Sequence, residues 1–342
     1  MQKLLLIAIL LICSGCSFWH IDKPVDFGAT PLYRDIAYHQ ENYPLTIENL
    51  NSKAEMESFT YEKPPQRVIA VWQNSVEIML ALGLEDRVIA ALGVPTDECI
   101  LPAHREAYNN LPYKSLELLD LETVMMMQPD MILGWYSTFS QNVLRGTDFW
   151  KNRGVHTYIA KSSSTNKEDR VLESEYQYIL DIGRIFDREA RAQEIVSNMK
   201  NEIAYVVQKT EKVKERPSAL VIELMGNNVS IYGDKTLAGD IVHKLKGELL
   251  LGEARSISLE QIIDLDPDNI FIVITEKYHG YEQMYVDKIL NNKALQNLEC
   301  IKQKRVFPLP LYSIYAPGMR SYDGIQILAK GLYPELYEEK KL

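Results

Sequence analysis

One short module occurs twice, and its repetition limits the folds open to this chain. The first copy covers residues 120–133 and the second residues 258–271. Leu121 aligns with Leu259, Glu122 with Glu260, Val124 with Ile262 and Met127 with Leu265, at an offset of 138 residues. The pair Pro129-Asp130 recurs unchanged as Pro267-Asp268. Each copy reads as a short helix, a stop and a buried strand. Asp120 and Ser258 are placed to cap the helix, and Ser258 with Gln261 fits the reciprocal capping box. Apolar residues at helical spacing give one stripe. Proline then stops the helix, because it lacks an N–H and drives its predecessor out of the right-handed helical region. The apolar runs at 131–135 and 270–275 suit strands covered on both faces. Such a unit, repeated across the chain, implies two similar α/β lobes.

The surrounding segments extend the alternation. Residues 43–49 and 57–61 are short alternating runs, the pattern of a hairpin. Residues 67–72 read as a buried strand, Asn74 as the cap of a helix over 76–82, and Gly83 as its end. Further strands are predicted at 87–92 and 155–160, and alternating strands and helices argue for a parallel sheet. Residues 166–216 show only helical patterns, at 173–185 and 188–210, with Val196, Met199, Ile203 and Val207 at helical spacing. The second lobe is predicted to hold a strand at 218–224, a turn at Gly226-Asn227-Asn228, a strand at 229–232 and a helix at 237–246. A helix near 286–297, a strand at 306–309 and a last helix at 322–332 follow its module copy. The expected fold is therefore α/β, with two Rossmann-like lobes (43–165 and 217–342) joined by one long helix within 166–216, and a ligand cleft between the lobes.

The net charge of −10 argues against nucleic acid or an anionic membrane surface as the main partner. At the amino end Lys3 precedes the apolar run 4–12 and then Cys13-Ser14-Gly15-Cys16, the makeup of a secretory leader over residues 1–15. The run is too short to span a membrane as a mature helix. Residues 16–42 are expected to form an anchor and polar tether. Cys99 and Cys300 fall in different expected lobes; an oxidising compartment permits a bridge between them, and neither sits in a metal-binding spacing. There is no G-x-S-x-G, no P-loop, no H-E-x-x-H and no G-x-G-x-x-G after a strand, so an enzyme is not indicated. A bilobal extracytoplasmic enzyme would be distinguished by turnover, and a scaffold lipoprotein by the lack of a deep cleft.

Residues 64–71 (Pro-Pro-Gln-Arg-Val-Ile-Ala-Val), residues 80–84 (Leu-Ala-Leu-Gly-Leu), the two Pro-Asp modules and Ala316-Pro317-Gly318-Met319-Arg320 occur in a telling order. Over roughly residues 43–336 the chain resembles the substrate-binding lipoproteins of ABC importers for ferric siderophores, haem and cobalamin. Ser14-Gly15-Cys16 resembles the bacterial lipobox, with Cys13 where leucine is usual, which implies cleavage before Cys16 and lipid on its thiol. The resemblance implies an extracytoplasmic binding protein that does no chemistry and has no resident cofactor or metal. It further implies three partners: a small metal chelate, foremost a ferric siderophore with a corrinoid or haem as alternatives; a dimeric ABC permease; and a membrane holding the lipid anchor.

Ligands of open α/β sheets bind at the carboxyl ends of the strands. Those positions hold Trp72, Gln73, Trp135 and Tyr136 in the first lobe, and Met225, Asn227, Tyr278, His279, Tyr312 and Tyr315 in the second. Aromatic rings there suit stacking on a planar chelate. Trp72 and Trp135 lead, because each directly ends a strongly apolar strand. Arg320, in a Pro-Gly turn, is expected to meet an anionic ligand or to form a surface ion pair. A lone loop histidine such as His279 is ordinarily solvated, and Met127 of the run Met125-Met126-Met127 is expected on a core face. Glu122 and Glu260 sit in the first turn of their helices, where the dipole favours a carboxylate by ~0.3–1 kcal/mol without any partner. The resemblance implies more, namely that each pairs with basic residues on one permease subunit.

Replacing Cys16 with alanine is expected to release the protein from membranes or to leave an unprocessed precursor. Mass spectrometry and fractionation check this; an unchanged mass and distribution would exclude lipid at Cys16.

Overall fold

The computed structural model describes residues 38–226, 228–254, 256–258 and 260–337; the expected leader, Cys16 and Asn227 lie outside them. The first lobe opens with an antiparallel hairpin, β1 (Leu45–Leu50) and β2 (Met56–Tyr61). There follow β3 (Val68–Val71), α1 (Gln73–Ala81), β4 (Val88–Leu92), α2 (Arg105–Asn109), β5 (Lys114–Ser115), α3 (Leu121–Met126), β6 (Met131–Gly134), α4 (Thr147–Lys151) and β7 (His156–Ile159). Their parallel sheet has the order β5-β4-β3-β6-β7. Strand order reverses between β3 and β6, where crossovers leave on opposite faces and a crevice opens at the carboxyl ends. Every residue of β3 and β6 is buried, as expected of strands covered on both faces.

Two helices, α5 (Leu172–Ile185) and α6 (Glu189–Lys209), lead to the second lobe. That lobe contains β8 (Ser218–Met225), β9 (Asn228–Ile231), α7 (Leu237–Lys244), β10 (Glu248–Leu249), β11 (Ser256–Ile257), α8 (Gln261–Leu265), β12 (Asn269–Ile274), α9 (Glu282–Leu290), α10 (Glu299–Lys302), β13 (Val306–Pro310) and α11 (Ser321–Leu332). Its sheet runs β11-β9-β8-β12-β13, with β10 beside the start of β8. Strands β8, β12 and β13 are parallel and β9 is antiparallel. The 21 residues of α6 span about 30 Å. One apolar cluster runs through both lobes, from Leu82 and Ile179 through Val196 to Phe271 and Leu328. The last helix, α11, packs on both α6 and α7. No helix among the described residues is long and apolar enough to cross a membrane.

The repeated module has the same physical role in each lobe. Asp130 accepts the Gln66 and Arg67 N–H groups at 2.7 and 2.8 Å, just ahead of β3. Asp268 accepts the Ser218 N–H and hydroxyl at 2.7 and 2.9 Å, at the start of β8. Each Pro-Asp pair thus fastens its own strand to the central strand beside it. The residue before each proline, Gln128 (φ 48°) or Asp266 (φ 42°), is left-handed and ends its helix. Asp120 caps α3 by accepting the Thr123 N–H at 2.9 Å. Ser258 and Gln261 exchange the expected capping-box bonds.

Some local expectations are corrected. Helix α1 begins at Gln73, so Asn74 lies inside it rather than capping it. Helix α9 starts at Glu282 and stops at Leu290, because the stretch after it forms a separate turn capped by Asn292. Residues 38–42, expected as tether, belong to the fold in part: the His39 N–H and the Asn42 amide donate to Asp187 at 2.6 and 2.8 Å. Cys99 and Cys300 are buried and unbridged. The connection between the lobes, by contrast, contains the two expected helices, of which α6 is the longer.

Asp130→Ala and Asp268→Ala are each expected to cost about 1–2 kcal/mol, because two donors lose their acceptor. Urea denaturation of the two variants checks this; wild-type midpoints for both would show that the paired aspartates do not anchor their strands.

Candidate functional site

The chain turns from β3 into α1 at Trp72, beside the reversal of strand order. Its backbone (φ 72°, ψ 155°) lies in a region ordinarily reserved for glycine. Three contacts hold it there. The Trp72 N–H donates to the Leu92 carbonyl at 2.8 Å, the indole Nε1 donates to Thr138 Oγ1 at 3.2 Å, and the ring lies against Gly93. A Cβ on residue 93 would come within 2.7 Å of that ring. Trp135, leaving the adjacent strand β6, stacks on Trp72 at a centroid distance of 4.8 Å and an inclination of 24°. Its Nε1 donates to Asn74 Oδ1 at 2.9 Å. From the second lobe, Tyr315 meets Trp135 edge-on at 5.3 Å and 71°. All three rings are half-buried. Arg170 completes the group, its guanidinium carbon 5.7 Å from the centre of the Tyr315 ring. The Arg170 Nε is buried without a hydrogen-bond partner among the described residues.

A second layer ties the lobes together. Arg320 Nη1 donates to Glu77 Oε1 and Oε2 at 3.0 and 3.3 Å and to the Cys99 carbonyl at 3.0 Å. Its Nε donates to Asp323 Oδ2 at 2.5 Å, and its planar group lies 4.2 Å from the centre of the Tyr312 ring. Glu77 is 0 % and Arg320 5 % exposed. Burial pushes the Glu77 carboxyl upward, while the Arg320 guanidinium, the Gln73 amide and the Leu101 N–H pull it down. Arg320, expected in contact with an anionic ligand or in a surface pair, is instead an interlobe tie. Gln73 belongs to the same seam, donating to Glu77 Oε2 and the Cys99 carbonyl at 3.0 and 2.8 Å. Beside them the Gly318 N–H donates to Glu175 Oε2 on α5 at 2.8 Å. Burial raises the Glu175 carboxyl to about 7, against the Ser162 hydroxyl and the Gly318 N–H.

The remaining candidates sit apart from the stack. The Tyr136 hydroxyl donates to the Ser52 carbonyl at 3.1 Å. Tyr278 packs on Tyr285 at 5.2 Å. Met225 is exposed and its sulfur accepts the Ser230 hydroxyl. His279 Nδ1 lies 3.3 Å from Glu282 Oε1. Nearer the seam, burial and the charge of Glu223 raise the Glu276 carboxyl. Of the methionine run, Met125 and Met126 are exposed and Met127 packs against the first lobe's core.

The sequence profile described as periplasmic binding protein matches residues 68–312. The chain belongs to the periplasmic binding protein family. A crystal structure of a periplasmic binding protein from Veillonella parvula superimposes with a TM-score of 0.84 at 38% identity, covering 88% of this chain and 95% of that one. The Bacillus subtilis ABC transporter substrate-binding lipoprotein YvrC is 22% identical, over 87% of this chain and 88% of its own length. The petrobactin-binding protein YclQ of the same organism is 23% identical, over 75% and 78%. This chain is thus a substrate-binding protein of the ABC importer class, and the relatives named here are transport proteins rather than enzymes.

In this family member the stack joins three of the residues expected at strand ends. Arg170, Asn74, Thr138 and Glu175 were not legible as site residues. Arg170 follows a short irregular turn with no periodicity, and its neighbour Tyr315 is far along the chain. Gly93, at the end of a predicted strand, was the one local signal for a close approach.

Trp72→Gly is expected to melt at a higher temperature than Trp72→Ala, because glycine adopts this backbone without the strain of ~1–3 kcal/mol. Paired thermal melts check it, and the reverse order would remove strain from the account. A second expectation concerns pH. The folded Glu175 carboxyl sits above its ordinary 4.5, so its contribution to stability is complete below that pH and is lost as pH rises through about 7. Glu175→Gln is expected to flatten the stability profile across that window and to gain on the order of 3 kcal/mol over wild type above it. Parallel profiles would show that another group titrates.

Proposed function

We propose that the ligand is a ferric siderophore, held against Trp72, Trp135 and Tyr315 with an acidic group directed to Arg170. The observation that carries this reading is the ring array drawn from both lobes, which gives a flat, apolar and polarisable surface at the switch point. Rings of this kind hold planar or chelated ligands by dispersion and quadrupole contacts. A guanidinium with an unpaired buried nitrogen at the end of the array favours an anionic chelate, since a buried donor gains most from a charged acceptor. The name of the petrobactin-binding relative supports the same ligand class. The reading includes a lipid on Cys16, which would hold the protein at the membrane beside its permease.

Glu122 and Glu260 are the proposed contacts to that permease. Both are exposed, one in the first turn of α3 and the other immediately before α8, in corresponding elements of the two lobes. Two equivalent acidic positions suit two equivalent permease subunits, and charge pairs at such a surface mainly set orientation and encounter rate.

Tryptophan fluorescence titration against ferric siderophores, haemin and cobalamin tests the ligand class. A saturable change with a ferric siderophore, weakened roughly tenfold or more in Arg170→Ala, is the expected result. Saturation by haemin or cobalamin alone would overturn it. Changing Glu122 and Glu260 together to lysine is expected to leave ligand affinity unchanged and to depress uptake in cells; full uptake would return both residues to a helix-dipole role.

A further inference from the structure

A cavity of about 410 Å³ lies at the opposite edge of the first lobe's sheet. It is built from the chain just before β3, the start of β4 and the corner between α5 and α6, at the amino ends of the strands. It therefore shares no residue with the seam that holds Trp72 and Trp135. Lys63, Arg87 and Arg188 line it, with Leu84 and Phe186 as apolar wall and Tyr38 at its rim. Among the described residues no carboxylate lines it, although acidic residues outnumber basic ones by 47 to 37 in the whole chain.

The nearby acids are engaged. Asp187 accepts from His39 and Asn42, and its carbonyl accepts from Arg188 Nη1 at 2.9 Å. Asp86 forms a loose ion pair with Arg87, Oδ1 to Nε 3.7 Å, longer than a hydrogen bond. Lys63 has no ion pair among the described residues. Lys63 and Arg87 are like charges beside one concavity, and an entering anion relieves their repulsion. The volume falls within the ordinary range of small-ligand pockets.

We propose that this cavity is an anion site for a phosphate ester of about the size of glycerol phosphate, separate from the interlobe site. The cations hold the phosphate oxygens, and Leu84 and Phe186 cover the organic part. Tyr38 also lines the cavity and can donate its hydroxyl to a phosphate oxygen. Two sources offer this same chemistry: a free phosphate ester, or the phosphodiester headgroup of an anionic lipid.

The test uses the full chain carrying Cys16→Ala, so that no acyl group is present. One arm titrates glycerol 3-phosphate and inorganic phosphate by calorimetry. The other compares sedimentation with phosphatidylglycerol and phosphatidylcholine vesicles, between which any apolar attraction of the leader is shared. Binding in either arm that weakens at high salt and falls roughly tenfold in Lys63→Glu/Arg87→Glu supports the site. Binding to glycerol 3-phosphate assigns the free ester, and a preference for phosphatidylglycerol alone assigns the headgroup. If the double variant does not fold, Lys63→Gln and Arg87→Gln are read in its place. No binding in either arm, or binding unchanged in the variants, overturns the proposal. Tryptophan quenching by the interlobe ligand should be the same in wild type and variants, so failure here is distinguishable from failure of the siderophore reading.

Discussion

Arg320 carries a full charge into a seam where Glu77 has no exposed surface. Removing an ion from water costs several kcal/mol, and only excellent geometry offsets it. Here the offset comes from two carboxylates, the Cys99 carbonyl and the face of Tyr312. The partners lie 243 residues apart, one on each lobe. This arrangement leaves little freedom in the spacing of the lobes. Helix α1 follows directly on Trp72, and the turn that carries Arg320 follows Tyr315 closely. The ion cluster therefore also sets the separation of the two halves of the aromatic stack.

The spine gives the same result by a different route. Helix α6 crosses between the lobes, α11 lies against it, and a single apolar cluster continues from one sheet to the other. A hinge made of one packed helix and a shared core resists wide opening more than loose strands do. The contact between Trp135 and Tyr315 is a weak element of the seam. An aromatic pair of this type contributes only ~0.5–1.5 kcal/mol beyond area burial. On the proposed reading, a ligand entering between these rings displaces a weak contact while the charged cluster stays closed.

The site also stores strain. Trp72 occupies a backbone region disfavoured for any side chain, held by Leu92, Thr138 and the flat face left by Gly93. Such residues persist where the surrounding structure fixes them more firmly than their own preference resists. The position, at the carboxyl end of β3 beside the switch point, is where an open sheet has a crevice to offer. Strain and the proposed ligand surface thus coincide at one residue, and Trp135 on the neighbouring strand completes that surface.

The repeated helix–Pro-Asp–strand unit, the buried strands, the long helix and the strand-end tryptophans were legible in the sequence. Each is a local matter, since caps, proline stops and apolar periodicity act over a few residues. The role of the two aspartates, holding the start of a strand across the sheet, needed the paired strands in place. The fate of Arg320 was decided by tertiary structure alone: its sequence context allowed a ligand contact or a surface pair, and Glu77 turned it into an interlobe tie. Arg170 beside Tyr315, Asn74 beneath Trp135 and the cationic cavity at the far edge of the sheet arise the same way. Charges and hydrogen bonds between distant segments leave no periodic mark in the chain, so only the packed lobes bring them together.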